Sequence, residues 1–419
     1  MSVLFLLPVA VALIGGYMLI KLRAFFIFHP RAVVSVLKGS LVTKGAVRSL
    51  CLALAGTLGV GNIIGVGVGL IVGGEGSVFW LLISSLFATV LKYSEACISS
   101  DISSGGGGGM LRPLRTCFDR FGNTLSKVYA YLVLALAFLM GGALQSAGAV
   151  GALSVSTGIS EVKLSVLFAA FSVVVLLFAK RSVKSLTLFV IPLITAVYIS
   201  FSISVVVLNI HKLPDIICNI LKSAFDSSSF AGGVLGFLAS DSLREGFSRG
   251  LLSNEAGAGT SSLAHSEIST TPPGAGVLGM CEVFFDTVVL CPLTALSILS
   301  VIPDVKKYSL GAELVIDAFR LSLGDFFACV VAFCILLFAF STVICWFYYG
   351  RVCAEYLRLP IGLYTVAFIL FLFFGAELGE GFVVSLCDFI LLFLTLLSGA
   401  VIIKSSDRIK RLSELSGLL

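Results

Sequence analysis

Eleven stretches of this chain are long, apolar and nearly free of charge, and that property limits what it can fold into more than any other. They lie near 2–20, 47–73, 76–98, 128–153, 162–179, 186–210, 228–265, 275–302, 325–349, 362–375 and 381–403. A helix needs about 20 predominantly apolar residues to cross the hydrocarbon of a bilayer, and most of these runs meet that length. Only 12% of the 419 residues are charged, against about 25% in a soluble domain, so most of the surface must face something other than water. The runs are continuous rather than alternating over about ten residues, which excludes an outer-membrane barrel. The expected fold is an all-α integral membrane protein of about eleven transmembrane helices, with the lipid bilayer as its principal partner. The first run lacks a basic leading segment and an A-x-A site, and reads as a retained span rather than a removed signal peptide. Ala32–Val42 and Pro214–Phe225 mix polar and apolar residues at helical spacing, as amphipathic helices on a membrane surface do.

The lysines and arginines test the count. If the loop after the first span is cytoplasmic, 19 of the 28 basic residues fall on that side, from Lys21 to Arg411, and six on the other. This bias fits eleven crossings, an outside N-terminus and an inside C-terminus in a bacterial-type plasma membrane. It also accounts for the net charge of +5 without a nucleic-acid partner.

Two spans are interrupted. The second carries Gly56, Gly59, Gly61 and Asn62, then Gly65, Gly67 and Gly69; the seventh carries Gly246, Gly250, Gly257 and Gly259 around Ser253-Asn254-Glu255. The breaks lie five spans apart. Because five is odd, the second five-helix unit enters from the opposite face, which makes an inverted repeat. The expected organisation is one transmembrane domain over 1–419. It has an extra helix at 2–20, repeat one at about 47–210, repeat two at about 228–403 and a cytoplasmic tail at 404–419. Glycine-interrupted segments at matching positions of two halves mark the binding site of secondary transporters. Unwinding exposes N–H and C=O groups that cost several kcal/mol each in lipid unless paired. Freed N–H groups at a half-helix N-terminus suit a carboxylate, and freed carbonyls suit Na⁺ or an ammonium. A zwitterionic amino acid plus a cation satisfies both. For Gly65 to Gly69, close helix packing is an equal alternative.

Other classes find less support. Three histidines supply no transition-metal or haem ligand set, and no nucleophile–base constellation suggests an enzyme or an organic cofactor. The eleven cysteines show no CxxC pairing and read as small buried hydrophobes. The glycine run Gly105 to Met110 is not followed by the Gly-Lys-Ser/Thr of a P-loop. A channel would show repeated pore motifs; an inverted pair of single breaks does not. Nothing in the sequence sets the oligomeric state.

Five stretches, in order along spans two to nine, resemble the alanine-or-glycine:cation symporter family. Gly56 to Val66 (GTLGVGNIIGV) is similar to the family's GTGNIAGV, and Lys92-Tyr93-Ser94-Glu95 to its KYAE. Arg249 to Gly259 (RGLLSNEAGAG) is similar to RGLFSNEAGxG, and Glu282 to Leu296 (EVFFDTVVLCPLTAL) to EVFIDT…CTLTAL. Phe340 to Tyr356 (FSTVICWFYYGRVCAEY) is similar to FSTxxGWxYYGExCxEY. The resemblance implies the leucine-transporter-type fold, five plus five inverted helices with one extra N-terminal helix, and Na⁺- or H⁺-coupled uptake of alanine or glycine.

By that resemblance Gly59, Gly61 and Asn62 receive the substrate carboxylate. Gln145, in GGALQSAGAV, hydrogen-bonds the substrate, and Trp346 walls the pocket. A cation site is implied from the hydroxyls of Ser341 and Thr342 with backbone carbonyls near Ala55 and Leu58. The residues by themselves leave alternatives: Ser341 and Thr342 back-bonded to their own helix, Gln145 in an interhelical bond, and Trp346 as an interfacial anchor. Asp286, a carboxylate inside a span, is a functional candidate by default: it either helps bind a cation or proton, or pairs with Arg249 or Lys92 as a structural lock. Glu255 and Arg249 read as a cytoplasmic gate or helix-end pair, and His265 as structural. The chain departs from the family in three places. Gly105 to Met110 lacks the Pro and Tyr pair of GGPMYYI, Leu252 replaces the usual Phe, and Cys345 replaces the Gly before the Trp. Leu252 therefore implies a differently shaped substrate pocket.

Overall fold

The structure, a computed structural model, describes residues 3–43, 45–103, 108–178, 183–225, 240–265, 270–308 and 311–419. Within them every regular element is helical. Span one is Val3–Lys21, and span two is Ala46–Thr57 and Ile64–Gly73 on either side of a 3₁₀ turn at Val60–Asn62. Span three is Ser77–Ser103, span four runs from Gly122 to Thr157 through a π segment at Ala137–Leu144, and span five is Glu161–Phe178. Span six is Val183–Leu208. Span seven contains Asp241–Asn254 and Ser262–His265, its expected residues 228–239 lying outside the described ones, as do 105–107 of the glycine run. Span eight runs from Pro272 to Val301 with a π segment at Phe284–Leu290. Spans nine, ten and eleven are Asp325–Tyr356, Ile361–Phe374 and Glu380–Lys404. Seven of the described helices are long and apolar enough, by length and composition alone, to cross a membrane.

The core helices pack across the two halves of the chain. Span three lies along the first half of span eight and along Asp241–Asn254 of span seven, while span four packs on span nine. Spans three and eight hold the second place in the two expected five-helix units, and four and nine the third, so helices of the same rank meet. Span one packs on spans three and eleven.

Close approach in the core depends on a few glycines. A Cβ on Gly246 would stand 2.3 Å from the Ser77 carbonyl oxygen and 2.8 Å from Trp80 Cβ, and a helix backbone cannot yield as a side chain does. On Gly250 the nearest atom, at 2.1 Å, is the Ser84 hydroxyl oxygen, which rotates. On Gly16 nothing comes nearer than 3.8 Å. Overpacking a core costs about 1–3 kcal/mol, occasionally more. Gly246→Ala should therefore reduce the yield of folded protein recovered from membranes well below Gly250→Ala, with Gly16→Ala equal to wild type. Fluorescence-detected size exclusion of detergent extracts reads this directly; equal yields would contradict it.

Short helices cover the two faces. The expected amphipathic segments are Pro30–Leu41 and Leu213–Ala224. On the face of Pro30–Leu41 the tail helix Ser406–Leu415 is tied down by Lys21 to Asp407 (2.6 Å), Arg408 to Asp101 (2.5 Å) and Tyr17 to Ser406 (3.0 Å). On the opposite face Gly311–Leu323, not anticipated from the sequence, buries Leu314, Val315, Ile316 and Phe319 and covers Ile64–Gly73, with Gly67 against Gly311. Its Glu313, Asp317 and Arg320 interrupt the apolar run, so an amphipathic helix there reads as a loop.

Candidate functional site: two broken helices

The first break begins where Leu58 leaves helical geometry (ψ 78°) and Gly59 is extended. Unwinding frees the Val60 N–H, which donates to Gln145 Oε1 at 3.0 Å. Gln145 sits at the end of the π segment and donates its Nε2 to the Met140 carbonyl (3.1 Å). Its amide is thereby fixed against Gly59, where a Cβ would meet both Gln145 Oε1 and Thr342 Oγ1 at 2.8 Å. The Thr342 hydroxyl reaches the carbonyls of Ala55 (2.9 Å) and Leu58 (3.4 Å), besides that of Phe338 in its own helix (3.0 Å). Ser341, by contrast, turns back to the Phe338 carbonyl at 2.8 Å.

The second break is made by three left-handed residues. Glu255 has φ 55°, Gly257 φ 92° and Gly259 φ 75°. Glycine adopts such values freely, whereas a residue with a Cβ pays about 1–2 kcal/mol. Asn254 caps the turn, accepting from the Ala256 N–H at 2.9 Å. The freed carbonyls find partners on three other spans: Tyr129 donates to Ala258 (2.9 Å), Ser49 to Ala264 (2.9 Å), and Ser398 to Gly257.

The breaks meet at Gly61, whose missing Cβ would face Ser253 Cα at 3.9 Å. Asp286, in the π segment of span eight, joins them. Its Oδ1 accepts from Asn62 Nδ2 and from the Ser253 hydroxyl (2.5 Å), and Thr287 lies 3.3 Å from Oδ2. Asn254 Nδ2 donates to Thr287 at 3.0 Å. The hydrogen-bonding partners of Asp286 are thus neither Arg249 nor Lys92, which corrects the structural-lock alternative. Arg249 pairs with Glu245 (3.0 Å), one turn away, and not with Glu255, whose Oε2 accepts from Thr260 (2.6 Å). Arg249 and Glu255 therefore form no gate pair, because Arg249 lies within the helix before the break and Glu255 turns out of it. Trp346 is fully buried against Gly141, so it is no interfacial anchor. Leu252 is buried in the apolar core.

A second buried network stands beside the first. Lys92 donates to Glu282 (3.3 Å) and to Ser261 (2.9 Å); the other oxygen of Glu282 bonds His265 Nε2, and His265 Nδ1 lies 3.0 Å from Ser49 Oγ. Glu95 and Glu255 face the same lysine. The sequence offers Lys92 as a partner of Asp286 and gives Glu282 no role. The available signal was three ionisable residues, Lys92, Glu95 and Glu282, within apolar spans, each a functional candidate on that ground.

The profile of the Sodium:alanine symporter family matches residues 2–412. The "Sodium/alanine symporter AgcS" of Methanococcus maripaludis is 30% identical over 377 residues, covering 85% of this chain and 82% of that one. The "Sodium/proton-dependent alanine carrier protein" of Bacillus sp. (strain PS3) is 27% identical, covering 76% and 75%. Among solved structures, the Eremococcus coleocola manganese transporter superimposes with a TM-score of 0.52 at 17% identity, over 85% of this chain and 75% of that one. At that identity the likeness concerns the fold.

Proposed function

Because the chain belongs to the sodium:alanine symporter family, we propose that it is a secondary active symporter importing a small neutral amino acid, alanine or glycine, together with Na⁺. Family membership makes it a multi-pass membrane transporter and not an enzyme. The observation that most supports the reading is the meeting of two unwound helices at Gly61 and Ser253. There the Asn62 amide, the Ser253 hydroxyl and the Asp286 carboxylate meet, all of them buried. The substrate carboxylate binds at Gly59, Gly61 and Asn62, Gln145 orients it, and Leu252 and Trp346 shape the pocket. Na⁺ binds among the carbonyls of Ala55 and Leu58 and the hydroxyls of Thr342 and, after a rotamer change, Ser341. Asp286 supplies the negative charge that a cation at the break needs. Uptake proceeds by alternating access, with the N-terminus outside and the C-terminus in the cytoplasm of a bacterial-type plasma membrane.

The driving force suffices. One charge crossing 100 mV yields about 2.3 kcal/mol, and a tenfold Na⁺ gradient adds about 1.4 kcal/mol. Together these support accumulation on the order of several hundredfold. Labelled alanine and glycine uptake into proteoliposomes should require an inward Na⁺ gradient; uptake indifferent to Na⁺ and H⁺ gradients would refute coupling. Thr342→Val keeps the shape of the side chain but removes the hydroxyl aimed at Ala55 and Leu58. The half-saturating Na⁺ concentration is expected to rise at least about tenfold, or about 1.4 kcal/mol, in a Na⁺ titration of uptake. An unchanged titration would remove Thr342 from the cation site.

A further inference from the structure

The charges around Lys92 do not balance. Glu95, Glu255 and Glu282 are all at most 1% exposed, and so are Lys92 and His265. Three carboxylates thus face one ammonium and one imidazole. His265 is neutral or singly positive according to which proton Ser49 and Glu282 leave on it. Either way the group carries at least one excess negative charge if every carboxyl is ionised. An uncompensated charge in a fully buried site costs several kcal/mol even after relaxation, so a positive charge must enter.

The geometry distinguishes the carboxyls. Glu282 holds Lys92 and His265. Glu255 accepts from Thr260 at 2.6 Å and faces the Trp346 indole. Glu95 has no such partners: among the described residues neither of its oxygens makes a hydrogen bond. From its own span it faces Lys92, already committed to Glu282 and Ser261. From span seven it faces the backbone amides of Gly257 and Gly259, from span eight Glu282, and from span four Tyr129. Backbone N–H groups present their positive ends, which repel a metal cation and by themselves favour a carboxylate. Because neither Glu95 oxygen reaches hydrogen-bond geometry with them, they do not offset the cost of burying that charge.

We propose that Glu95 is the seat of an exchangeable proton, a carboxyl kept protonated against the break of span seven and separate from any Na⁺ site. The proton comes from bulk water and returns to it. Glu95 belongs to span three, whereas Glu255, Gly257 and Gly259 form the break. A rearrangement of that break during transport changes what Glu95 faces and therefore whether it holds the proton. This coupling, though not the proton site itself, rests on the symporter reading.

The test begins with the purified full-length protein in nanodiscs, without substrate. Infrared difference spectra between acid and alkaline pH, in H₂O and D₂O, should show a protonated-carboxyl band that wild type has and Glu95→Gln lacks. Proton titration of Glu95→Gln should fall short of wild type by one proton per chain. Because glutamine imitates the neutral carboxyl, Glu95→Gln should melt at or above the wild-type temperature. A Glu95→Gln protein that keeps the band, or that unfolds or melts well below wild type while Glu95→Asp does not, overturns the proposal: the first result assigns the band to another carboxyl, and the second means that Glu95 works as an anion. In proteoliposomes, alanine uptake by wild type should respond to an imposed pH gradient and uptake by Glu95→Gln should not; equal responses overturn the coupling. If no variant transports any amino acid while the infrared difference persists, the symporter reading fails and the proton site stands.

Discussion

Asp286→Asn is expected to lower amino-acid uptake at least about 100-fold while leaving the protein folded. Asparagine has almost the shape of aspartate. Its carbonyl can take the place of Oδ1 and still accept from Asn62 and Ser253, and its amide then points toward Thr287. What disappears is the charge. Hydrogen bonds to an ionised acceptor are roughly twice as strong as neutral ones, and removing one partner of a buried ion pair costs about 3–5 kcal/mol. A loss of about 2.7 kcal/mol already corresponds to 100-fold. If Asp286 only braces spans two, seven and eight through the bonds to Asn62 and Ser253, the isosteric amide preserves most of that brace and uptake changes by a few fold. Uptake and melting temperature measured on the same preparation separate the two: a large loss of transport at unchanged stability belongs to the charge, and equal uptake assigns Asp286 a structural role.

Lys92→Met should have the largest effect on stability. Lys92 lies wholly inside the protein, and its ammonium bridges Glu282 on span eight and Ser261 in the second break. Removing it leaves Glu282 paired with His265 alone and takes away the cation that Glu95 and Glu255 face. Breaking a buried pair from one side costs about 3–5 kcal/mol, which should appear as a marked fall of the melting temperature in detergent. Removing the partner as well relieves the uncompensated charge, so Lys92→Met with Glu282→Gln should be more stable than Lys92→Met alone, with a coupling of about 0.5–3 kcal/mol. Strict additivity of the two substitutions would mean that the 3.3 Å contact contributes nothing.

The spans were legible because hydrophobic length is a local property. The helices Val3–Lys21, Ser77–Ser103 and Asp325–Tyr356 begin within one residue of the apolar runs that predict them, and the latter two continue five and seven residues past the ends of those runs. The breaks were legible for the same reason. Extended backbone at Gly59 and left-handed backbone at Gly257 and Gly259 lie in the glycine clusters that sequence reading singled out. Gly311–Leu323 was missed, since a helix that covers its neighbours needs only one apolar stripe. Ser341 and Thr342, adjacent and alike in sequence, face different ways. A helix turns about 100° per residue, so only Thr342 reaches span two.

The family motifs led to the right neighbourhood but not to the partners in it. Asp286 was read against Arg249 and Lys92, charges of opposite sign, yet its hydrogen bonds go to the neutral groups of Asn62, Ser253 and Thr287. Arg249 is held by Glu245, the acid one turn before it, a pairing that the i, i+4 spacing offered in advance.

By itself the sequence determined a helical membrane protein of about eleven spans, its two unwound helices and the family it belongs to. Each of these depends on composition or pattern within some twenty residues. Only the tertiary structure decided that Asn62 meets Asp286, that Thr342 meets Ala55 and that Lys92 meets Glu282. Those partners lie 224, 287 and 190 residues apart. Whether they meet depends on how each helix is rotated about its axis and how deep it sits beside its neighbours. Close-packed glycines such as Gly59 and Gly246 set that rotation and depth, through contacts between helices that no single run of residues encodes.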